Sequence, residues 1–457
     1  MKVQLPCDYK STSGKTLPNK DPKEASVSNR RYNRYLMAQE QANTVKFSKH
    51  FLWGAATSAH QVEGNTHNQW TVWELENAKA RAAQAEYHIN DFESWDRIKS
   101  DAKDPNNYVS GSLVNHYDNY EKDFDLLQKM NMNAFRFSVE WSRIEPQEGV
   151  WDTDVIAHYK QYSKELKLRG IEPIVTLFHF TLPIWFTEKG GFEKRSNVKY
   201  FTRFAEKIIS ELGMNARYII TINEPEVYAN ESYYHQNWPP AVSNKFKWWR
   251  VVNNMAFAHR QASKAIHKLN RRYKVSIAKN SIFFYPGDNA WLSRISAYLM
   301  QYAQDDYFIN KVKNHCDFLG VNYYFSNRVY GYRIHNPDQK LSDLQWDMHP
   351  ADIQFVVERL YDKHKLPIII TENGLADVED RQRQWWITQT LRGMQTAIKN
   401  GVKIEGYLHW SLVDSFEWAY GKWPRFGLAE VNRKTGERTL RPSARWFGRV
   451  IKKIRDV

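Results

Sequence analysis

The sequence predicts an α/β fold, a single (β/α)8 TIM barrel preceded by an irregular N-terminal extension. Eight short apolar runs recur along the chain, and most of them are separated by stretches with helical periodicity. Strands that alternate with helices are typical of a parallel sheet, and eight is the number that closes a barrel of this kind. The predicted strands span residues 52–57, 133–139, 172–178, 218–222, 275–279, 318–323, 367–371 and 404–410.

The predicted helices lie between these strands. In the first, Tyr117, Tyr120, Phe124 and Leu127 share one face at the spacing i, i+3, i+7, i+10. The others span residues 154–169, 198–212, 248–272, 351–364, 381–400 and 441–457. An open doubly wound sheet is the main alternative, but it would need a Gly-rich phosphate-binding turn after the first strand. Residues 54–59, Gly-Ala-Ala-Thr-Ser-Ala, do not provide one.

We expect residues 47–457 to form one barrel domain, because no repeat, low-complexity tract or linker interrupts them. Residues 1–46 are polar and basic, with nine Lys and Arg against four Asp and Glu, and their apolar periodicity is weak. This composition predicts a mostly irregular extension with a short helix near residues 33–43.

Composition and charge exclude several classes of protein. The net charge of +14 would suit a nucleic acid or an anionic partner, but no run of five basic residues and no recognition motif occurs. A solvated basic surface is the simpler interpretation, so we expect neither nucleic acid nor a membrane as partner. The first residues lack the apolar stretch of a signal peptide, which favours a cytoplasmic protein. Cys7 and Cys316 form no disulfide framework or metal motif.

Two glutamates directly follow or end apolar β-rich runs. Glu224 lies in Thr-Ile-Asn-Glu-Pro at residues 221–225, and Glu372 lies in Ile-Thr-Glu-Asn-Gly at residues 370–374. Both would sit at the C-terminal ends of barrel strands, the fourth and the seventh, where active sites of such barrels lie. Two carboxyl groups placed in this way can cleave a glycosidic bond, one as proton donor and the other as nucleophile.

Several motifs in order along the chain resemble those of glycoside hydrolase family 1, the β-glucosidase and β-galactosidase group. The resemblance runs from about Phe47 to the C-terminus. It rests on residues 51–61, 136–143, 179–183, 223–225, 317–324, 371–374, 410–418 and 425–427. The resemblance implies a retaining β-glycosidase that needs no cofactor or metal and acts on small-molecule β-glycosides. A sugar-binding protein without turnover on the same fold is the alternative.

The resemblance assigns Glu224 as acid/base and Glu372 as nucleophile, with Arg136, Asn322 and Tyr324 around the nucleophile. Arg136 could keep Glu372 charged, and Tyr324 can donate its hydroxyl to the same carboxylate. Amide, imidazole and carboxylate groups suit the hydroxyl edge of a sugar, and an indole suits its face. The implied sugar pocket consists of Gln61, His179, Asn223, Tyr324, Glu417 and Trp418, with Trp410 beneath the ring.

Glu417 separates subgroups of the resembled family. Members that cleave 6-phosphosugars have Ser at this position, and a carboxylate here would repel a phosphate, so the sequence predicts an unphosphorylated sugar. The chain departs from the family at Phe180, where Trp is frequent, and at Ser415, where Asn is common. Oligomeric state is left open by the sequence.

The segment from residue 280 to residue 317 is short for this family. A barrel that lacks part of its outer layer should expose apolar side chains, and we expect Phe283, Phe284 and Tyr285 to form that surface. Two interpretations remain open: the surface binds a partner, or the N-terminal extension covers it.

Overall fold

Eight parallel strands form a closed barrel in the computed structural model, which describes residues 47–337 and 340–456. Each strand pairs with the next one in the sequence, and the last pairs with the first, from Leu52 opposite Gly406 to Ala56 opposite Trp410. The strands are β1 (Leu52–Ala56), β2 (Ala134–Ser138), β3 (Glu172–Phe178), β4 (Tyr218–Asn223), β5 (Lys274–Asn280), β6 (Leu319–Asn322), β7 (Ile368–Asn373) and β8 (Ile404–Trp410). The predicted barrel is confirmed.

Helices surround the barrel. They span Ala59–Val62, Gln69–Ile89, Trp95–Ala102, His116–Lys129, Trp141–Ile144, Thr153–Leu168, Ile184–Glu188, Val198–Leu212, Pro225–Tyr233, Lys245–Leu269, Trp291–Gln301, Tyr307–Val312, Ile353–His364, Arg383–Lys399 and Pro442–Arg455. The helix Val198–Leu212 illustrates why they form, because its buried residues recur at helical spacing on the face toward the barrel. The helix predicted near residues 33–43 lies outside the described residues.

The strands are buried on both faces, as in other parallel sheets that are covered by helices. All five residues of β1 and of β2 are buried, and so are all six of β7. Arg136 is therefore a charged residue inside a buried strand, and its side chain is fully inaccessible. Such a cation requires partners within the barrel, and these partners define the site.

The segment after β5 forms its own small layer at the rim of the barrel. Its strand Phe283–Pro286 pairs with Ser326–Tyr330, which pairs in turn with Arg333–Ile334. The helix Trp291–Gln301 follows. Phe283, Phe284 and Tyr285 are only half-buried, so the expectation about their position was partly correct. It was wrong about the main exposed surface, because the largest exposed apolar side chains of this segment lie on that helix.

Among the described residues, no helix is long and apolar enough to cross a membrane. The division of the chain at residue 46 stays a prediction, because residues 1–46 are not described.

Candidate active site

The C-terminal ends of the strands bring the sequence-predicted residues together at one rim. Asn223 ends β4 and Asn322 ends β6, while Glu372 and Trp410 lie at the ends of β7 and β8. His179 directly follows β3. Since all eight strands are parallel, their carboxyl ends meet at the same end of the barrel, and residues far apart in sequence become neighbours.

The carboxylate of Glu372 is held by one cation and one hydroxyl group. Arg136 donates from Nη1 to Oε1 of Glu372 at 2.5 Å, and the Tyr324 hydroxyl donates to Oε2 at 2.7 Å. Burial raises the pKa of Glu372 above its ordinary value, while the charge of Arg136 and the hydrogen bond from Tyr324 lower it. Both groups stabilise the ionised form of this carboxyl.

Glu224 is held by amides instead. Asn322 donates from Nδ2 to Oε1 of Glu224 at 2.8 Å, and Asn280 donates to the same oxygen at 3.2 Å. Burial and, to a smaller extent, the nearby charge of Glu372 raise the pKa of Glu224 to about 7, against the opposing effects of these amides. The two carboxyl groups therefore differ in their surroundings, since only Glu372 has a hydrogen bond from a cation.

The backbone at Glu224 is left-handed, with φ of 40° and ψ of 61°. Non-glycine residues rarely adopt this conformation, and strained conformations of this kind tend to cluster at active sites. Phe180 and Trp418 share it, with φ of 72° and 44°. Three residues around one pocket thus hold backbone conformations that the surrounding packing must enforce.

Asn223 connects the two carboxyl groups to the sugar pocket predicted from the sequence. Its Oδ1 accepts from Nη2 of Arg136 at 2.7 Å and from Nδ2 of Asn322 at 3.2 Å. Its Nδ2 lies 3.3 Å from Nε2 of His179. Nδ1 of His179 is buried and has no hydrogen-bond partner within the described part of the chain, so it can serve a ligand. Burial lowers the pKa of His179 well below its ordinary value, so the ring is neutral.

Aromatic rings form one wall of the pocket. The ring of His179 lies nearly parallel to those of Trp410 and Trp418, with centroids 5.7 and 6.1 Å apart. Trp418 in turn contacts Trp70 and Trp238 at 4.8 and 5.6 Å. These contacts fix the indoles, which is the arrangement that binding a sugar face requires.

Gln61 and Glu417 provide the polar edge of the pocket. Gln61 accepts from the Ser58 hydroxyl and donates to the carbonyl of Phe416, both at 2.6 Å, which leaves one amide hydrogen for another acceptor. Oε2 of Glu417 has no partner among the described residues. Burial and, to a smaller extent, the charges of Glu372 and Glu224 raise the pKa of Glu417 to about 8.

Several residues of the site were missed by sequence reasoning. Thr176 accepts from Nε of Arg136 at 3.0 Å, and the Thr371 hydroxyl donates to Oδ1 of Asn322 at 2.6 Å. Asn280, which contacts Glu224, ends β5, so the strand-end rule used for the glutamates could have found it. Thr176 lies inside an apolar strand, and only its polarity there could have marked it.

Lys279 is the least expected of the residues near Glu224, because its side chain is completely inaccessible. Its Nζ donates to the main-chain oxygen of Asn280 at 2.7 Å and lies 3.5 Å from Oε2 of Glu226 and 3.8 Å from Oδ1 of Asp305. The charge of Lys279 lowers the pKa of Glu224. Burial raises the pKa of Glu226 to about 7.

Within the described residues, no group of three or more His, Cys, Asp or Glu side chains could hold a metal ion. The arrangement places two carboxyl groups of different proton affinity beside a pocket with aromatic walls and polar edges. Such a site can transfer a proton and stabilise or trap a positively charged carbon at the same time.

Known proteins resemble this chain over nearly all of the described part. The family model described as Glycosyl hydrolase family 1 matches residues 43–308 and 285–455. Beta-glucosidase A from Acetivibrio thermocellus is 28% identical over 467 residues, covering 89% of this chain and 98% of that protein. A 6-phospho-beta-galactosidase from Clostridium acetobutylicum is 26% identical, covering 88% and 96%.

Solved structures of other proteins also resemble this chain. A beta-glycosidase from Pyrococcus horikoshii superposes with a TM-score of 0.80 at 31% identity, covering 90% of this chain and 96% of that one. The beta-glucosidase from Thermotoga maritima in complex with deoxynojirimycin superposes with a TM-score of 0.78 at 23% identity, covering 90% and 99%, and supports the fold.

The raised pKa of Glu417 predicts a pH dependence of stability. Its folded-state pKa of about 8 lies above the ordinary value of 4.5, so the folded state binds the proton more tightly. This contribution to stability is complete below about pH 4.5 and is lost as the pH rises through about 8. Glu417→Gln should therefore lose less of its free energy of unfolding between pH 5 and pH 9 than the original protein.

The measurement is the thermal midpoint at both pH values, with the substitution Glu430→Gln, at an exposed position, as control. An equal fall in the Glu417→Gln variant and the original protein would contradict the assignment of a buried, protonated carboxyl at this position.

Proposed function

The chain belongs to glycosyl hydrolase family 1 and is a glycoside hydrolase, and from this premise we propose that it is a retaining β-glycosidase. Its proposed substrates carry terminal, non-reducing β-D-glucosyl residues, with β-galactosyl and β-fucosyl residues as secondary substrates. The main support for the proposal is that the two carboxyl groups have different hydrogen-bond partners. The guanidinium of Arg136 donates to Glu372, whereas the side-chain amides of Asn280 and Asn322 donate to Glu224.

In the first proposed step, a carboxylate oxygen of Glu372 attacks the anomeric carbon. The bond to the leaving oxygen breaks as the proton of Glu224 passes to that oxygen, and a covalent glycosyl-enzyme forms. Arg136 supports this division of roles, because its charge stabilises Glu372 as a carboxylate. Burial supports it as well, because it lets Glu224 hold a proton near neutral pH.

In the second step, Glu224 is a carboxylate and accepts a proton from water. The water oxygen attacks the anomeric carbon, the bond to Glu372 breaks, and the sugar leaves with its original configuration. Asn223 is proposed to donate to the sugar 2-hydroxyl, a contact that strengthens in the transition state. Tyr324 and Asn322 keep the carboxyl groups aligned through the hydrogen bonds described above.

The proposed pocket for the sugar consists of Gln61, His179, Asn223, Glu417 and Trp418, with Trp410 against the sugar face. The relatives include both glucosidases and a 6-phospho-beta-galactosidase, so the family does not decide whether a phosphate is accepted. Glu417 favours an unphosphorylated sugar. A phosphate there would place a further negative charge near the Glu372 carboxylate, and Glu417 would offer it a protonated carboxyl instead of a cation.

Removal of the proposed nucleophile is the direct test. Glu372→Gly should lower the hydrolysis of an aryl β-glucoside by more than about a thousandfold, because no group remains to form the covalent intermediate. Sodium azide should then restore turnover in part, since the small anion fits the space left by the carboxylate. The product should be the α-glucosyl azide, identified by NMR.

Glu224→Ala is the matched control for the rescue. There azide should react with the intact glycosyl-enzyme and yield the β-glucosyl azide. If Glu372→Gly gave the β-glucosyl azide and Glu224→Ala gave the α-glucosyl azide, the roles assigned to the two glutamates would be reversed. An original protein that binds glucosides but never hydrolyses them would favour a silent sugar-binding protein instead.

The pH dependence of kcat/KM tests the raised pKa of Glu224. Its pKa of about 7 predicts that kcat/KM falls as the pH rises above about 7, because the proton donor is lost. The charge of Lys279 lowers this pKa, so Lys279→Met should move the fall to higher pH. Lys268→Met, at an exposed position, is the control and should leave the profile in place. A profile that Lys279→Met leaves unshifted contradicts this electrostatic link.

Substrate preference is measured with a panel of nitrophenyl β-glycosides. We expect β-glucoside to exceed 6-phospho-β-glucoside in kcat/KM by more than about tenfold, because a buried phosphate would lie near the Glu372 carboxylate without a cation at position 417 to pair with it. Glu417→Ser should lower the ratio of kcat/KM for the β-glucoside to kcat/KM for the 6-phospho-β-glucoside. A preference for the 6-phospho substrate in the original protein would overturn the interpretation of Glu417.

A further inference from the structure

The helix Trp291–Gln301 faces the opposite way from an ordinary surface helix. Its buried residues are Ser293, Ala297 and Gln301, which are small or polar. Its large apolar residues point to solvent: Trp291 is 71% exposed, and Tyr298 is 66% exposed. A surface helix of a globular protein normally buries its apolar side.

Hydrogen bonds fix the helix in this orientation. Ser293 accepts from the backbone nitrogen of Gly331 at 2.7 Å. Gln301 accepts from the nitrogen of Phe284 at 3.0 Å and donates to the oxygen of Ile282 at 2.9 Å. These bonds satisfy backbone groups of the small three-stranded sheet and of Ile282, which directly precedes its first strand. The helix cannot turn its apolar side inward without leaving them unpaired.

The exposed apolar side chains form one surface, which we call the Trp291 surface. Its members are Trp291, Leu292, Ile295, Tyr298, Leu299, Tyr302 and Tyr332, each 39% exposed or more. Together they present on the order of 700 Å² to solvent, more than the largest apolar patch of a typical monomer. A surface of this size and composition indicates that something covers it.

Basic residues border the surface. Arg294 is exposed on the same helix. The Lys363 ammonium lies 5.7 Å from the ring centroid of Tyr302, and the Arg333 guanidinium lies 5.5 Å from that of Tyr332. Asp288 is an exposed carboxylate ahead of the helix, so the border is mainly but not wholly basic.

Charge decides between the N-terminal extension, a second copy of the chain and another partner as the occupant. The extension has nine Lys and Arg against four Asp and Glu, and a second copy has a net charge of +14, so either would bring positive charge to a basic border. An anionic surface would instead be attracted. Exposed Trp, Tyr, Leu and Ile with flanking Lys and Arg are also the composition of helices that lie in a lipid interface. We propose that the Trp291 surface binds the protein peripherally to an anionic lipid bilayer. This proposal departs from the sequence prediction of no membrane partner, which interpreted the positive charge as a solvated surface only.

Binding through this surface would bring the candidate active site close to the lipid. The segment that carries the surface continues to Gln304, whose Nε2 donates to the main-chain oxygen of Asn280 at 3.0 Å. Asn280 is one of the two amides on Glu224. The lipid-binding proposal itself does not depend on the proposed reaction.

Flotation of the full-length protein with lipid vesicles tests the proposal. The protein should float with vesicles of phosphatidylcholine and phosphatidylglycerol, and not with phosphatidylcholine alone. The double substitution Ile295→Glu and Leu299→Glu should reduce the bound fraction by more than about tenfold, because it removes apolar contacts and adds repulsion. Tyr87→Glu, at an 81% exposed site on another helix, should bind like the original protein.

Circular dichroism and the hydrolysis of a water-soluble aryl glucoside should be unchanged in the double variant, which shows that it is folded. Equal binding by the double variant and the original protein would overturn the proposal, since another basic segment would then be responsible. So would failure to float at all. Light scattering that detects a dimer lost in the double variant, without vesicle binding, would assign the surface to a second copy and also overturn it.

Discussion

The positions of the polar groups in the site depend on the hydrogen bonds that the guanidinium of Arg136 donates. It is fully inaccessible at the centre of the barrel, where an unpaired charge would be severely destabilising. Its donors reach Thr176 on β3, Asn223 on β4, and both the Thr371 carbonyl and the Glu372 carboxylate on β7. One side chain on β2 thus fixes the relative positions of polar groups from three other strands.

The difference between the two carboxyl groups follows from this placement. Arg136 can give direct charge compensation to only one of them, and that one is Glu372. Glu224 is left with amides and a second carboxylate nearby, so burial raises its pKa to about 7. The charge of Lys279 has a smaller, opposite effect, because it lowers the pKa of Glu224. The proposed proton donor and the proposed nucleophile therefore differ chiefly in which of them accepts a hydrogen bond from Arg136.

Much of this arrangement could be predicted from the sequence, because the signals are local. Each barrel strand is a short apolar run, and Glu224 and Glu372 were located by their positions at strand ends, whereas Asn223 and Trp410 were implied by the family resemblance. The cluster around Lys279 could not be predicted, because Glu226 and Asp305 meet it only through the fold and lie far from it in sequence. The orientation of the helix Trp291–Gln301 could not be predicted either, because an apolar pattern reveals that a helix has two sides, but not which side is covered.

The central claim is that Glu372 forms a covalent intermediate and the sugar is released with its configuration retained. The anomer released first from an aryl β-glucoside, followed by NMR faster than mutarotation, tests this claim most directly. Retention predicts that the β-anomer appears first and the α-anomer grows only by mutarotation. Initial release of the α-anomer would contradict the account, because water would then attack directly and the two carboxyl groups would have to lie roughly 6.5–9.5 Å apart instead of about 5–5.5 Å.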